Sequence, residues 1–519
     1  MSELNKDIAC APSSDSFEKI IADIETSAVK KEICYTAGEQ ILAAVVAVFA
    51  FIFIETAVFN PAGYITSALF ISGITALIIY LKRNGAHYNA LQITAAAVMY
   101  LFSLVYTITA DNMIKAVNTL FEYITASYFV YSALGSQKKV SRYLPLELMK
   151  SFFSYPFSNL FKLFGALSFS LKKTKCGPSA KRVALGLILA VPLTIVVASL
   201  LMSADSGVEK ILSYVSEYFF SDNIWTVISR LIISVPAGCW IFGLIYTASH
   251  NKDMTGSADD EYEKSLDSVR KINNLVVYTA VSPVCILYAV FFISQATYFL
   301  SAFSGSLPSS YSYAEYARRG FFELFAIEII NMCIILFINL CTVKSGKNKS
   351  KALTFYTVMI SFFTLVITAT AMSKMIMYIR NYGLTQKRVY TSWFMLLTAI
   401  YFIMVIIKQI RPGFNMMTSA AAVFCIMFGI LCFSRPDSVI AAYNLEYFSD
   451  SMTYYDLTEM SEMSDDAVCV ILDAKYQSIV SSILSDDEDD FKRDTEKRLN
   501  SSFYVRTNLS DILIREKLK

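Results

Sequence analysis

The sequence predicts an all-α, polytopic transmembrane helix bundle of about eleven spans, with a small helical domain at its C-terminal end. Three observations carry this. Long apolar runs recur, each near the roughly 20 residues that a helix needs to cross the hydrocarbon layer. The apolar share is 55% and the mean hydropathy +0.48, which a chain of 519 residues reaches only with an extensive membrane domain. The runs are continuous rather than alternating, so helices fit and barrel strands do not.

In order, the runs are 41–59, 65–81, 90–110, 113–134, 183–202, 225–247, 275–300, 321–341, 352–372, 392–407 and 414–433. The fourth is interrupted by Lys115 and Glu122 and is retained for a topological reason. With the N-terminus inside, alternate loops gather basic residues as cytoplasmic loops do. Lys82 and Arg83 follow the second run, Lys138, Lys139, Arg142 and Lys150 follow the fourth, and Lys344, Lys347, Lys349 and Lys351 follow the eighth. The stretch 374–388 is the exception, with four basic residues on the predicted outer side. Without the fourth span everything after it inverts and the bias is lost. The expected location is a cell membrane, with a cytoplasmic N-terminus and an extracytoplasmic tail.

The flanking segments differ in chemistry. Residues 1–36 are polar and lack a cleavable signal pattern. Residues 144–171 are aromatic with scattered lysines, which predicts an interfacial amphipathic helix or a re-entrant hairpin; 207–222 reads similarly on the other side. From 434 to 519 the chain turns acidic, including the run 486–490, and short helical patterns predict a soluble helical tail.

Several function classes lose support. A net charge of +2 implies no nucleic acid. Ten cysteines without a CxxC pair give no disulfide framework. His87 and His250 stand too far apart for a His-pair metal motif. GxSxG, HExxH and a phosphate-cradling GxxxxGK[ST] are absent. No catalytic residue, cofactor or metal is implied, so a membrane enzyme ranks third among the readings.

Polar residues inside the runs are the candidates that remain. Glu328, Asn331 and Asn339 share one face of the eighth run, and an intramembrane carboxylate is a functional hypothesis by default. The alternative is a Glu328 that joins helices. Thr354, Thr357, Ser361, Thr364 and Thr368 line one face of the ninth run and suit helix contact. Glu55 and Glu122 are further isolated acids, the latter on one face with Lys115 and Asn118.

Four pieces also resemble a bacterial family of multispanning membrane proteins, domain of unknown function 4173, related to type 4153. They are SAD at 203–205, YAEYARRGFFEL at 313–324, YGLTQKR at 382–388, and the tail stretch 436–468. The resemblance implies a membrane architecture and a bacterial source, and supplies no catalytic residues. In the eleven-span topology all four pieces reach one membrane face. Asp205 and Glu315 are then placed to offset Arg318, Arg319 and Arg388, with Asn444 or Asp465 of the docked tail nearby. That cluster is either a clamp holding the tail on the bundle or a site for an anionic headgroup or envelope ligand, gripped by the arginines' forked donors.

Two functional readings follow. A sensing or scaffold subunit would meet membrane lipids and an envelope or signalling protein through its tail and outer loops. A transporter of small molecules or lipids would use a polar path near Glu328. A cavity reaching Glu328 favours transport; a packed bundle favours the scaffold.

Overall fold

The computed structural model describes residues 35–59, 62–135, 137–173, 222–250, 258–304, 321–342, 351–484, 487–500 and 507–518. Among them are helices and no named strand; a single backbone bridge links Ile272 and Thr342. Nine described helices are long and apolar enough to cross a membrane, so the polytopic helical bundle stands. They are α1 (Ala37–Ala57), α2 (Tyr64–Arg83), α3 (Ala90–Ser103) continued by α4 (Val105–Ile108), α9 (Asp222–His250), α11 (Asn274–Ser304), α12 (Phe321–Cys341), α13 (Lys351–Tyr382), α14 (Gln386–Ile410) and α15 (Met416–Phe433). The expected fourth span is α5 (Asn112–Leu134), a helix of 23 residues. It is less apolar than the nine because Lys115, Asn118 and Glu122 ride on its buried face. The expected span at 183–202, and nearly all of 207–222, lie outside the described residues.

The chain divides into two units, residues 1–45 with 163–212, and residues 46–162 with 213–519. In the first, Thr36 and Glu39 cap the start of α1 reciprocally, and Gly165 leaves room for the Tyr35 ring. The second holds the larger cores. One is aromatic and joins α1, α2, α4, α5 and α9 through Phe53, Phe70, Tyr106, Tyr123 and Trp240. Another joins α11, α12, α13 and α14 around Ile338, Ile360 and Phe402. Phe102 stacks on Phe428 at 5.5 Å and ties α3 to α15.

The aromatic segment after α5 is a broken helix. α6 (Leu144–Met149) passes through a wide π turn at Lys150–Ser154 into α7 (Tyr155–Ser158), and the chain resumes as α8 (Lys162–Lys173). Pro156 has no N–H, so the Phe152 carbonyl loses its helical partner. The Trp240 indole N–H of α9 donates to it at 3.2 Å, and the Thr247 hydroxyl serves the Tyr155 carbonyl at 2.8 Å. Side chains of a neighbouring helix thus replace the bonds that the break removes, as an apolar medium requires. A Cβ at residue 243 would overlap the Pro156 carbonyl, so Gly243 permits this close approach.

After α15 come α16 (Pro436–Tyr447), α17 (Tyr454–Met463), α18 (Asp465–Ile471), α19 (Gln477–Leu484), α20 (Glu488–Asn500) and α21 (Leu509–Lys517). They enclose their own core around Ala441, Leu445, Leu457 and Ile471. α10 (Ala258–Val269) belongs to the opposite end of the bundle, where Tyr262 meets Tyr143 and Glu263 pairs with Arg142.

Candidate functional site

The tail and the bundle meet through carboxylates. α15 ends at Phe433, and Arg435 takes a left-handed backbone, φ 50°, just before Pro436 opens α16. A non-glycine residue rarely holds that conformation unless its surroundings fix it. Here they do: Arg435 donates from Nε and a terminal nitrogen to Asp466 Oδ1, at 3.1 and 3.0 Å. Ser510 of α21 lies against both groups. Asp466 is fully buried. Its Oδ2 accepts the Thr109 hydroxyl at 2.6 Å and the Ala110 N–H at 2.9 Å, in the turn between α4 and α5.

That turn is itself a helix start. Asp111 caps α5, accepting the N–H groups of Met113 and Ile114, and its other oxygen accepts the Tyr390 hydroxyl of α14. One turn on, the buried Lys115 ammonium donates to the Ala62 carbonyl in the loop before α2. The tail meets the same loop through the Tyr64 N–H, which donates to Thr507 O at 3.1 Å. A third loop joins in. Asp437 accepts Gln386 Nε2 at 2.9 Å and the Ser464 hydroxyl at 2.6 Å. Asn444 accepts the Leu384 N–H and donates to the Leu384 carbonyl, at 2.8 and 2.9 Å.

The charges of this junction are unequal. Asp111, Asp437, Asp465, Asp466 and Asp511 gather around Lys115, Arg435 and Arg498. Five acids against three bases leave two carboxylates in excess. Two of the acids respond. Burial pushes Asp437 up to about 6, the Asp111 carboxylate adds to this, and the Ser464 and Gln386 donors oppose it. Burial pushes Asp511 up to about 7, with the Asp465 carboxyl beside it contributing and the Asn508 N–H and Lys115 opposing. Asp511 Oδ1 receives no donor among the described residues. A proton on that carboxyl turns the Asp465–Asp511 contact from repulsion into a hydrogen bond. No group of His, Cys, Asp or Glu among the described residues has an arrangement that could hold a metal ion.

Of the predicted face cluster, Asp205, Glu315, Arg318 and Arg319 lie outside the described residues. Arg388 pairs with no acid among the described residues: it donates to the carbonyls of Tyr382 and Gly383 and lies 4.1 Å over the Tyr378 ring. Asn444 docks on the 382–388 motif, whereas Asp465 pairs with Arg498 at 2.6 Å. Reasoning from sequence missed Arg435, Asp437, Asp466, Thr109, Asp111 and Lys115 as one unit. Local signals existed, an N-cap pattern at 109–111 and the SDD at 464–466, but nothing local joins positions more than 350 residues apart.

The intramembrane residues form a separate stripe. Glu328 is buried, beside the hydroxyls of Thr368 and Thr398, and its Oε1 has no partner among the described residues. Asn331 accepts the Tyr288 hydroxyl at 2.6 Å and donates to Thr364 Oγ1 at 2.9 Å, which links α11, α12 and α13. Asn339 donates to the Ile335 carbonyl of its own helix. Thr357, Ser361 and Thr364 are buried.

No curated protein and no solved structure matches the chain. The family described as "Domain of unknown function (DUF4153)", the related type noted above, matches residues 96–474. This span takes in the turn at 109–111, the polar stripe and Arg435 to Asp466, and at well over half of the chain it shows that the protein belongs to the DUF4153 family.

Proposed function

We propose that this integral membrane protein is a sensing or scaffold subunit of the bacterial envelope, with its tail domain, residues 434–519, external and its N-terminus cytoplasmic. The observation that carries the reading is the buried junction. Asp466 of the tail grips the 109–110 turn of the bundle, and Arg435 and Ser510 of the tail converge on the same carboxylate. A tail held by buried, paired charges moves with the bundle, so an event at either is felt by the other. Basic residues at the opposite end, including Lys82, Lys138, Lys139 and Arg142, support the orientation.

The transport reading keeps one specific support, the unpartnered Glu328 oxygen inside the bundle. The two readings part in a complementation test. In a deletion strain profiled for envelope-stress fitness, Glu328→Gln should restore function, and Asp466→Ala, which breaks the junction, should not. The reverse result would overturn the sensing reading in favour of transport. Labelling of single cysteines placed at exposed Tyr455 and at Arg142 tests the orientation. Tyr455→Cys should react in intact cells with an impermeant maleimide and Arg142→Cys only after lysis.

A further inference from the structure

Beside the junction lies a cleft of 580 Å³ between the turn that ends α13 and the helices α16 and α17. Its size suits a small ligand. Its two walls come from two of the pieces that carry the family resemblance, 382–388 and the tail stretch from 436. Gly383 holds the turn at φ +74°, and a Cβ there would come within 2.6 Å of Asn444 Oδ1, so glycine is what lets the walls meet.

The walls differ in charge. Between 436 and 463 the tail carries six acids and no Lys, Arg or His. Asp456 and Glu459 of this stretch line the cleft and are exposed. Phe448, Met452 and Met460 supply an apolar floor, and thioethers adapt to varied shapes. On the facing wall Arg388 is engaged by backbone carbonyls, which leaves the exposed Lys387 as the basic side chain lining the cleft. This polarity is opposite to that of an anion site.

We propose that the cleft binds an amphipathic organic cation, with its ammonium group between Asp456 and Glu459 and its apolar body on Phe448, Met452 and Met460. The proposal deepens the sensing reading and rests on it for its consequence: an occupant touches both the tail and the 381–387 turn, and so bears on the joint that Asn444 makes.

The test uses the full chain in nanodiscs of zwitterionic lipid, with empty discs as the blank. Dansylcadaverine, an ammonium on an apolar fluorophore, is titrated at low and at high salt. Saturable binding weakened by salt is expected, and spermidine should compete. Asp456→Asn with Glu459→Gln should weaken binding about three- to tenfold, the size of two exposed ion pairs. Asparagine keeps the cap that Asp456 forms with Thr453, so the double variant should fold. Lys387→Gln should tighten binding. The site is refuted if the neutral dansylamide binds as well, if an anionic dansyl amino acid binds better, or if neither variant changes the affinity. Binding that leaves the proteolysis of the tail unchanged would keep the site and remove the sensing reading.

Discussion

The protein holds buried polar groups in two ways. In the stripe of α12 and α13, hydroxyls turn first to their own helix: Thr357, Ser361, Thr364 and Thr368 each donate to the carbonyl four residues back, at 2.8–2.9 Å. At the tail junction the partners lie far apart in sequence, and the groups are charged. Thr109 and Asp466, for example, are separated by 357 positions. A neutral hydroxyl bonded within its helix is satisfied whether or not its neighbours are present. A buried carboxylate is satisfied only when the whole junction assembles. The stripe therefore fills a contact, and the junction makes docking all-or-none.

The largest expected effect tests that contrast at Asp466. Alanine there leaves the partly buried Arg435, the buried Thr109 hydroxyl and the Ala110 N–H without their partner. Removing one partner of a buried ion pair costs about 3–5 kcal/mol. Limited proteolysis in nanodiscs should release the tail from Asp466→Ala while the bundle stays protected. A tail as resistant as the wild type's would show that the neutral contacts of Asn444 with Leu384, and not the charges, hold it.

Acidity gives the next effect, and its sign follows from the burial of two carboxyls, reinforced by the acids beside them. Asp437 and Asp511 hold protons in the docked form, to about 6 and about 7, that a solvated carboxyl releases near pH 4. Docking is thus fully favoured by these two groups below about pH 4, and that contribution is lost as the pH rises through 6 and 7. Hydrogen exchange of the tail amides, corrected for intrinsic rate, should show stronger protection at pH 5.5 than at pH 8. Asp511→Asn should flatten the profile. Protection that rises with pH would contradict the assignment.

The same contrast explains what the sequence made legible. Apolar runs state their own helices, so the bundle could be read from runs such as 352–372 without knowing their neighbours. The stripe was legible because three-four spacing is local. Asp466 looked like any acid at a helix start, and Arg435 like any residue after a span, because their meaning lies in packing. The continuation of α13 to Tyr382 was also hidden: Lys374 and Arg380 end the apolar run without ending the helix.

A smaller effect belongs to Asn444. Its two bonds to Leu384 are neutral, and each such bond contributes about 0.5–1.5 kcal/mol. Asn444→Ala should destabilise docking by about 1–2 kcal/mol in the same exchange measurement, and only near the 382–386 turn. An effect as large as that of Asp466→Ala would erase the distinction between charged and neutral contacts at this face.

The smallest effect lies in the stripe, and it separates two hydroxyls that look alike in sequence. Thr357 Oγ1 donates to Leu353 O at 2.9 Å, so valine removes a bond made within one helix. Thr364 Oγ1 donates to Ile360 O and also accepts the Asn331 amide, so valine there leaves a buried N–H without its partner and cuts the link that runs to Tyr288. Interhelical hydrogen bonds in membranes average about 0.6 kcal/mol and reach about 1.7. Thr364→Val should therefore lower thermal stability in nanodiscs measurably, and Thr357→Val should leave it close to the wild-type value. Asn331→Leu combined with Thr364→Val and Tyr288→Phe should recover part of the loss, because all three partners of the link are then apolar. Equal losses from the two single variants would mean that shape alone, and not the Asn331 link, gives the stripe its value.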